Sequence, residues 1–265
     1  SVILSTSDRY VIALLLSVTE VGYYNPAYAL GSLIIFFPMV SGVVLPPLLS
    51  KAVDTGREHE ARVMVDYTVK GFLLLGIPFV AGSYVMGRAL LTLLANADVG
   101  TSVYLLVPVV ATGILFYGLN VILSNVLFVR MKTSAIFWVN IVAAVVNLML
   151  NVILIYIFRD IMIAALTTLL SYFIAFVFMH RIVTSDWKLD FDLTVITKSV
   201  ASSLLMVIPL LWINSYLAGS AYQMFYIIGE ILLGIIVYCM ALFAFKTFSH
   251  EELLFLKNTF LQWRS

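Results

Sequence analysis

With 63% hydrophobic residues, 11% charged residues and a mean hydropathy of +1.08, this 265-residue chain cannot be a soluble domain; such domains carry about 25% charged residues. A net charge of +1 supplies no basic field for nucleic acid. The lone Cys239 excludes a disulfide framework and a thiol metal site, and His59, His180 and His250 lie far apart in sequence, so no cofactor is expected.

A membrane helix needs about 20 mostly apolar residues. On that rule eight spans are expected in an all-α integral membrane protein. The first, Ser1–Ser17, is short, and carries Asp8 and Arg9 side by side before ten uncharged residues, Tyr10 to Thr19. A turn is expected over Glu20-Val21-Gly22-Tyr23-Tyr24-Asn25-Pro26, followed by the second span, Pro26–Leu49, and the third, about Tyr67–Met86. Thr101–Val129 holds 29 consecutive uncharged residues and forms the fourth; Ser134–Ile157 and Ile161–Met179 follow. A last uncharged run, Ser199–Gly229, divides at the turn-like stretch Asn214–Ser220 into a seventh span ending near Ile213 and an eighth over Ala221–Phe245. The runs are continuous rather than alternating, which favours helices over strands.

The parts are a six-helix lobe over 1–181, a cytoplasmic linker over 182–198, a trailing helix pair over 199–246 and an amphipathic cytoplasmic tail helix over 247–265. In the tail, Ser249 and Glu252 have capping-box spacing. Between the second and third spans, Glu58 and Arg62 have the i,i+4 spacing of a surface helix.

Lys51, Arg57, Arg62, Lys70, Arg130, Lys132, Arg181, Lys188, Lys198, Lys246, Lys257 and Arg264 fall on one side, against Arg88 and Arg159 on the other. The positive-inside rule then puts both ends of the chain in the cytoplasm.

No nucleophile motif, phosphate loop or His-Glu-x-x-His stands anywhere in the chain, and no loop is long enough for a catalytic domain. The ionisable residues within spans are Asp8, Arg9 and Glu230. A charge at mid-span costs about 2.5–3.5 kcal/mol on insertion scales and therefore marks a functional candidate; the alternative is that Asp8 and Arg9 only flank a short span at the interface. The other polar groups are neutral: Asn120 and Asn125, then Asn140, Asn147 and Asn151, then Thr167, Thr168 and Ser171. Asn147 and Asn151 share one helix face, where interhelical packing is the plainer role. Tyr23, Tyr24 and Tyr28 read equally well as an aromatic belt.

Ser7-Asp8-Arg9-Tyr10, Glu20 to Tyr28, Pro47-Leu48-Leu49-Ser50-Lys51, Gly76-Ile77-Pro78, Arg130-Met131-Lys132-Thr133, Asn147 to Asn151 and Ala164-Ala165-Leu166-Thr167 occur in that order. This pattern resembles the polysaccharide flippases of the multidrug/oligosaccharidyl-lipid/polysaccharide exporter superfamily. It departs at Asp160-Ile161-Met162-Ile163, where those proteins carry a Gly-containing turn. The resemblance implies a second six-helix lobe plus two further helices, with the N-terminal lobe belonging to a preceding part of the same chain. It also implies a multi-pass protein of the cytoplasmic membrane that flips a lipid-linked oligosaccharide by alternating access, coupled to a proton or sodium gradient. Membrane lipids are the other expected partner and nucleic acid is not one.

On this reading Arg9, Tyr23, Asn25, Tyr28 and Asn120 are candidate substrate contacts, with Arg9 attracting the phosphate or diphosphate head group. Asp8 and Glu230 are candidates for ion coupling. Consecutive residues of a helix point about 100° apart, so Arg9 is expected to face the cavity and Asp8 an adjoining helix. An organic-cation exporter, a membrane polymerase or ligase acting on the same lipid-linked sugars, and a membrane scaffold are the alternatives. The positive Arg9 weighs against the first, and the short outer loops against the second.

Overall fold

A computed structural model describes residues 2–187, 192–217 and 223–248. These form ten α-helices and one 3-10 turn, with no strand among the described residues: α1 Val2–Leu15, α2 Val18–Gly31, the 3-10 turn Ser32–Ile35, α3 Phe36–Asp54, α4 Glu58–Leu94, α5 Ala97–Ser102, α6 Leu106–Val129, α7 Thr133–Phe158, α8 Ile161–Asp186, α9 Leu193–Leu217 and α10 Gln223–Ala244. The eight spans read from the sequence correspond to α1, the continuous α2–α3 rod, α4, α6, α7, α8, α9 and α10. Seven of these are long and apolar enough to cross a membrane; the eighth, α1, has 14 residues.

The first turn lies earlier than the sequence suggests. Helix α1 ends at Leu15, and Ser17, in an extended conformation, caps α2 by accepting a 3.1 Å bond from the Glu20 N–H. Ser17-Val18-Thr19-Glu20 is a capping-box pattern, and it outweighs the Gly22 and Pro26 signals that point to a turn further on. Pro26 lies inside α2. Replacing Ser17 with Ala is expected to cost about 1 kcal/mol of stability, read as a lower Tm in detergent.

Helix α6 is the hub of the lobe, packing against α2, α3, α4 and α8. Small residues permit the closest approaches. A Cβ added at Gly31 would stand 2.7 Å from the Val107 carbonyl oxygen, so α2 and α6 touch almost backbone to backbone there. Gly31→Leu is expected to destabilise the chain by about 1–3 kcal/mol through overpacking. Gly22→Ala meets open space and should leave the Tm unlowered in the same assay.

The main core runs through α1 to α8, with Ile12, Tyr24, Phe72, Leu106, Ile122 and Ile155 almost wholly enclosed. A second, smaller cluster joins α9 and α10 to α4 through Leu74, Met86, Met206, Leu210 and Ile227. It is pinned by Tyr238, whose hydroxyl is 2.8 Å from Ser199 Oγ and donates to the Leu74 carbonyl at 2.8 Å. The trailing pair is therefore docked on the lobe through α4.

Several loops differ in detail from the sequence reading. The surface helix expected near Glu58 is the first part of α4, with Glu58 and Arg62 3.7 Å apart. Helix α8 runs to Asp186 and α9 starts at Leu193, while α9 continues through Asn214 to Leu217. Residues 188–191, 218–222 and the tail 249–265 lie outside the described residues. At the connection that lacks a Gly-containing turn, Arg159 itself takes the left-handed conformation at φ 55°, and Asp160 caps α8 by accepting from the Met162 N–H at 2.8 Å. Arg159 Nη1 also donates to the Leu15 carbonyl, closing the C-terminal end of α1.

Candidate functional site

Asp8 is fully buried. Among the described residues, every group bonded to its carboxylate is neutral, and each comes from another helix. Tyr24 of α2 donates its hydroxyl to Oδ2 at 3.1 Å, Thr168 of α8 donates to the same oxygen at 2.8 Å, and Asn151 Nδ2 of α7 donates to Oδ1 at 2.6 Å. A further layer holds these donors in place. Asn147 Nδ2 donates to Thr168 Oγ1 at 2.9 Å, Asn151 Nδ2 lies 3.3 Å from Asn147 Oδ1, and Thr167 Oγ1 donates to Asn151 Oδ1 at 2.5 Å. Ser171 Oγ closes the stripe by donating to the Thr167 carbonyl at 2.8 Å.

The local sequence explains why the cage forms. Asn147 and Asn151 are four apart and stack on the α7 face toward α8. Thr167, Thr168 and Ser171 occupy one flank of α8, and all five residues are buried. The side-chain oxygens of Asp8, Asn147, Asn151, Thr167, Thr168 and Tyr24 thus gather between α1, α2, α7 and α8. Hard monovalent or divalent cations favour such an oxygen set. No group of three or more His, Cys, Asp or Glu suited to a metal occurs among the described residues, so one carboxylate supplies all the negative charge here. A buried carboxylate needs a compensating charge or a proton. Among the described residues no Lys, Arg or His side chain donates to it.

Arg9 turns the other way. Its Nε donates to Asn25 Oδ1 at 2.6 Å, and its guanidinium carbon lies 5.3 Å from the centre of the Tyr28 ring. The side chain is half-buried. Tyr28 packs on Tyr24 with ring centroids 5.7 Å apart, and Tyr117 packs on Tyr172 at 5.0 Å. One helix, α2, therefore contacts both members of the α1 pair: Tyr24 bonds Asp8, and Asn25 and Tyr28 meet Arg9.

The other sequence candidates lie elsewhere. Tyr23 donates its hydroxyl to Asp98, tying α2 to α5. Asn120 of α6 faces α7, where its Nδ2 is 3.5 Å from Asn140 Oδ1. Glu230 is buried in α10, which packs on α9 and α4, and so stands apart from Asp8. By sequence, Tyr24, Asn147, Asn151, Thr167 and Thr168 look like members of an aromatic belt or of helix packing. Two signals point to their shared role: the i,i+4 asparagine pair, and the adjacent threonines followed by Ser171 in an otherwise apolar span.

A bundle of long apolar helices enclosing a buried acid cage, with a half-buried arginine beside it, has the construction of a multi-pass membrane protein. The chain belongs to the lipid II flippase MurJ family, whose sequence profile matches residues 10–237. That family consists of transporters, not enzymes. The family matched is MurJ rather than the polysaccharide flippases that the motifs resemble, within the same exporter superfamily. The chain is also similar to a solved structure titled lipid II flippase MurJ, inward closed conformation, with a TM-score of 0.71 and 16% identity over 90% of this chain and 50% of that one. It thus spans about half the length of that structure. No curated protein sequence matches the chain.

Proposed function

We propose that this chain is the part of a flippase that carries the coupling-ion site and one of the contacts to a lipid-linked saccharide. The substrate class is a saccharide joined through phosphate or diphosphate to a lipid carrier; the family's name favours lipid II, and the motif resemblance admits a polysaccharide precursor. The observation that carries this reading is the fully buried Asp8 carboxylate, bonded among the described residues only by neutral donors from three other helices. Such a group is stable when a proton or a small cation joins it, and less so when neither does.

The proposed cycle follows from the adjacency of Asp8 and Arg9. When a proton or sodium ion neutralises Asp8, α1 is held against α7 and α8. When it leaves, the bare carboxylate loosens that docking and α1 shifts relative to α2. Arg9 lies on the same helix one residue on, so the shift moves its guanidinium against Asn25 and Tyr28. A planar guanidinium binds phosphate bidentately, and ion release at Asp8 therefore changes head-group affinity at Arg9. The basic end of the bundle faces the cytoplasm, both ends of this segment lie there, and a preceding lobe of the same protein completes the path. The trailing pair, α9 and α10, follows the lobe and stays docked on it through α4.

An organic-cation exporter would expose acid to its cargo. Here the acid of the pair is enclosed, and the half-exposed member is the arginine. Thermal stability of the full chain in detergent tests the ion site: sodium against potassium at fixed pH, then a pH series without sodium. A rise in Tm with sodium, or with proton concentration, that Asp8→Asn removes supports the reading. A Tm indifferent to both in the native chain overturns it.

A further inference from the structure

We propose a second, separate anion site at the basic end of the bundle, built for the phosphate of an anionic lipid head group. Arg62 of α4 and Arg130, which follows α6, lie with guanidinium carbons 5.8 and 5.2 Å from the Trp187 ring at the end of α8. Glu58 Oε2 is a counter-ion shared by the two, 3.2 Å from Arg130 Nη2 and 3.7 Å from Arg62 Nη2. One carboxylate therefore serves two guanidiniums.

Among the described residues, three nitrogen donors in this cluster have no acceptor. Arg62 Nε, Arg130 Nε and Trp187 Nε1 are all buried and unpartnered, and Trp187 is only 1% exposed. Buried donors are normally satisfied, so three orphans in one cluster point to an acceptor-rich group that settles there.

Two helix starts add to the positive potential. The N-caps of α4 and α7 are Arg57 and Lys132, and neither helix has a side-chain cap bond. Cap positions ordinarily hold Ser, Thr, Asp or Asn, and the helix dipole adds positive field at these two starts. The Glu58–Arg130 contact joins the two starts, because Glu58 is the first residue of α4 and Arg130 precedes Lys132 by two residues. Arg57 is partly neutralised by Glu60 at 3.2 Å. Phosphate oxygens can bridge the guanidiniums bidentately and accept from the free donors. The location favours a lipid, since this end collects the chain's basic residues and basic pockets between helices at that leaflet bind acidic head groups.

The test uses the full chain in phosphatidylcholine nanodiscs doped with phosphatidylglycerol, with retained lipid counted by native mass spectrometry. Native chain should enrich phosphatidylglycerol about 25-fold, a factor of about five from each of two cations. R62Q/R130Q should bring the enrichment close to one. E58Q is the discriminating variant: removing the competing carboxylate should raise lipid retention, whereas a purely structural ion pair would lower stability and leave retention unchanged. Trp187→Phe, which keeps the ring and deletes the N–H, should lower retention several-fold while the chain stays folded. In a parallel arm, millimolar inorganic phosphate is added to discs of phosphatidylcholine alone. A Tm rise there that R62Q/R130Q removes, without phosphatidylglycerol enrichment, makes the ligand soluble phosphate and overturns the lipid assignment. Absence of both effects, or enrichment that survives R62Q/R130Q, overturns the site. Asp8 and Arg9 lie outside this cluster, so neither outcome bears on the transport reading.

Discussion

Asp8→Asn should abolish ion-stimulated transport while leaving a folded, membrane-inserted chain. The substitution keeps size and removes charge. Thr168 and Tyr24 carry hydroxyls that can rotate, and Asn151 can exchange its amide ends, so the cage has the means to re-pair around a neutral amide. What cannot be restored is a negative centre for a proton or cation. Stimulation by an ion gradient should fall by at least roughly tenfold, the equivalent of about 1.4 kcal/mol. Asp8→Ala is a different experiment. It leaves three buried donors unsatisfied and should cost about 3–5 kcal/mol of stability, as breaking a buried charged network does. Comparing the Tm of the two variants separates loss of the ion site from loss of the fold.

Arg9→Ala should remove substrate transport without disturbing the ion response. Charge-assisted bonds to phosphate contribute about 1.5–3 kcal/mol each, so deleting a bidentate pair should weaken head-group binding by at least about two orders of magnitude. Arg9→Lys should recover part of it, since a lysine keeps the charge but not the planar fork. The half-buried position of Arg9, against Asn25 and Tyr28 rather than against Asp8, is why the two losses should be separable. Binding of a fluorescent lipid-linked diphosphate to reconstituted protein, with and without sodium, checks both parts.

The spans were legible because hydrophobic length alone dictates them: Thr101–Val129 contains α6, and α7 exceeds Ser134–Ile157 by one residue at each end. Caps were harder. Gly22 and Pro26 look like a turn, yet in an apolar medium a helix tolerates them, and the turn falls instead where Ser17 can satisfy the first free amides of α2. Arg159 in a left-handed conformation was also hidden, because the expected glycine is absent and the residue is held by a bond to the distant Leu15 carbonyl and by the Tyr156 ring of its own helix.

At the site, the division between Asp8 and Arg9 followed from helix geometry, and the structure places them on different neighbours. The partners of Asp8 were not legible. Asn151 and Thr168 are 143 and 160 residues away in the chain, and polar residues in apolar spans look alike whether they pack or bind. Only their convergence on one carboxylate distinguishes them. Tyr23 shows the reverse case: adjacent in sequence to Tyr24, it points to Asp98 and away from the cage.

The most direct measurement is flipping of a lipid-linked diphosphate saccharide by the complete protein in proteoliposomes, under an imposed sodium or proton gradient, in native and Asp8→Asn forms. Transport that follows one of the gradients in the native protein and ignores it in the variant is the predicted result. Equal dependence on the gradient in both forms would contradict the assignment of Asp8 as the coupling site.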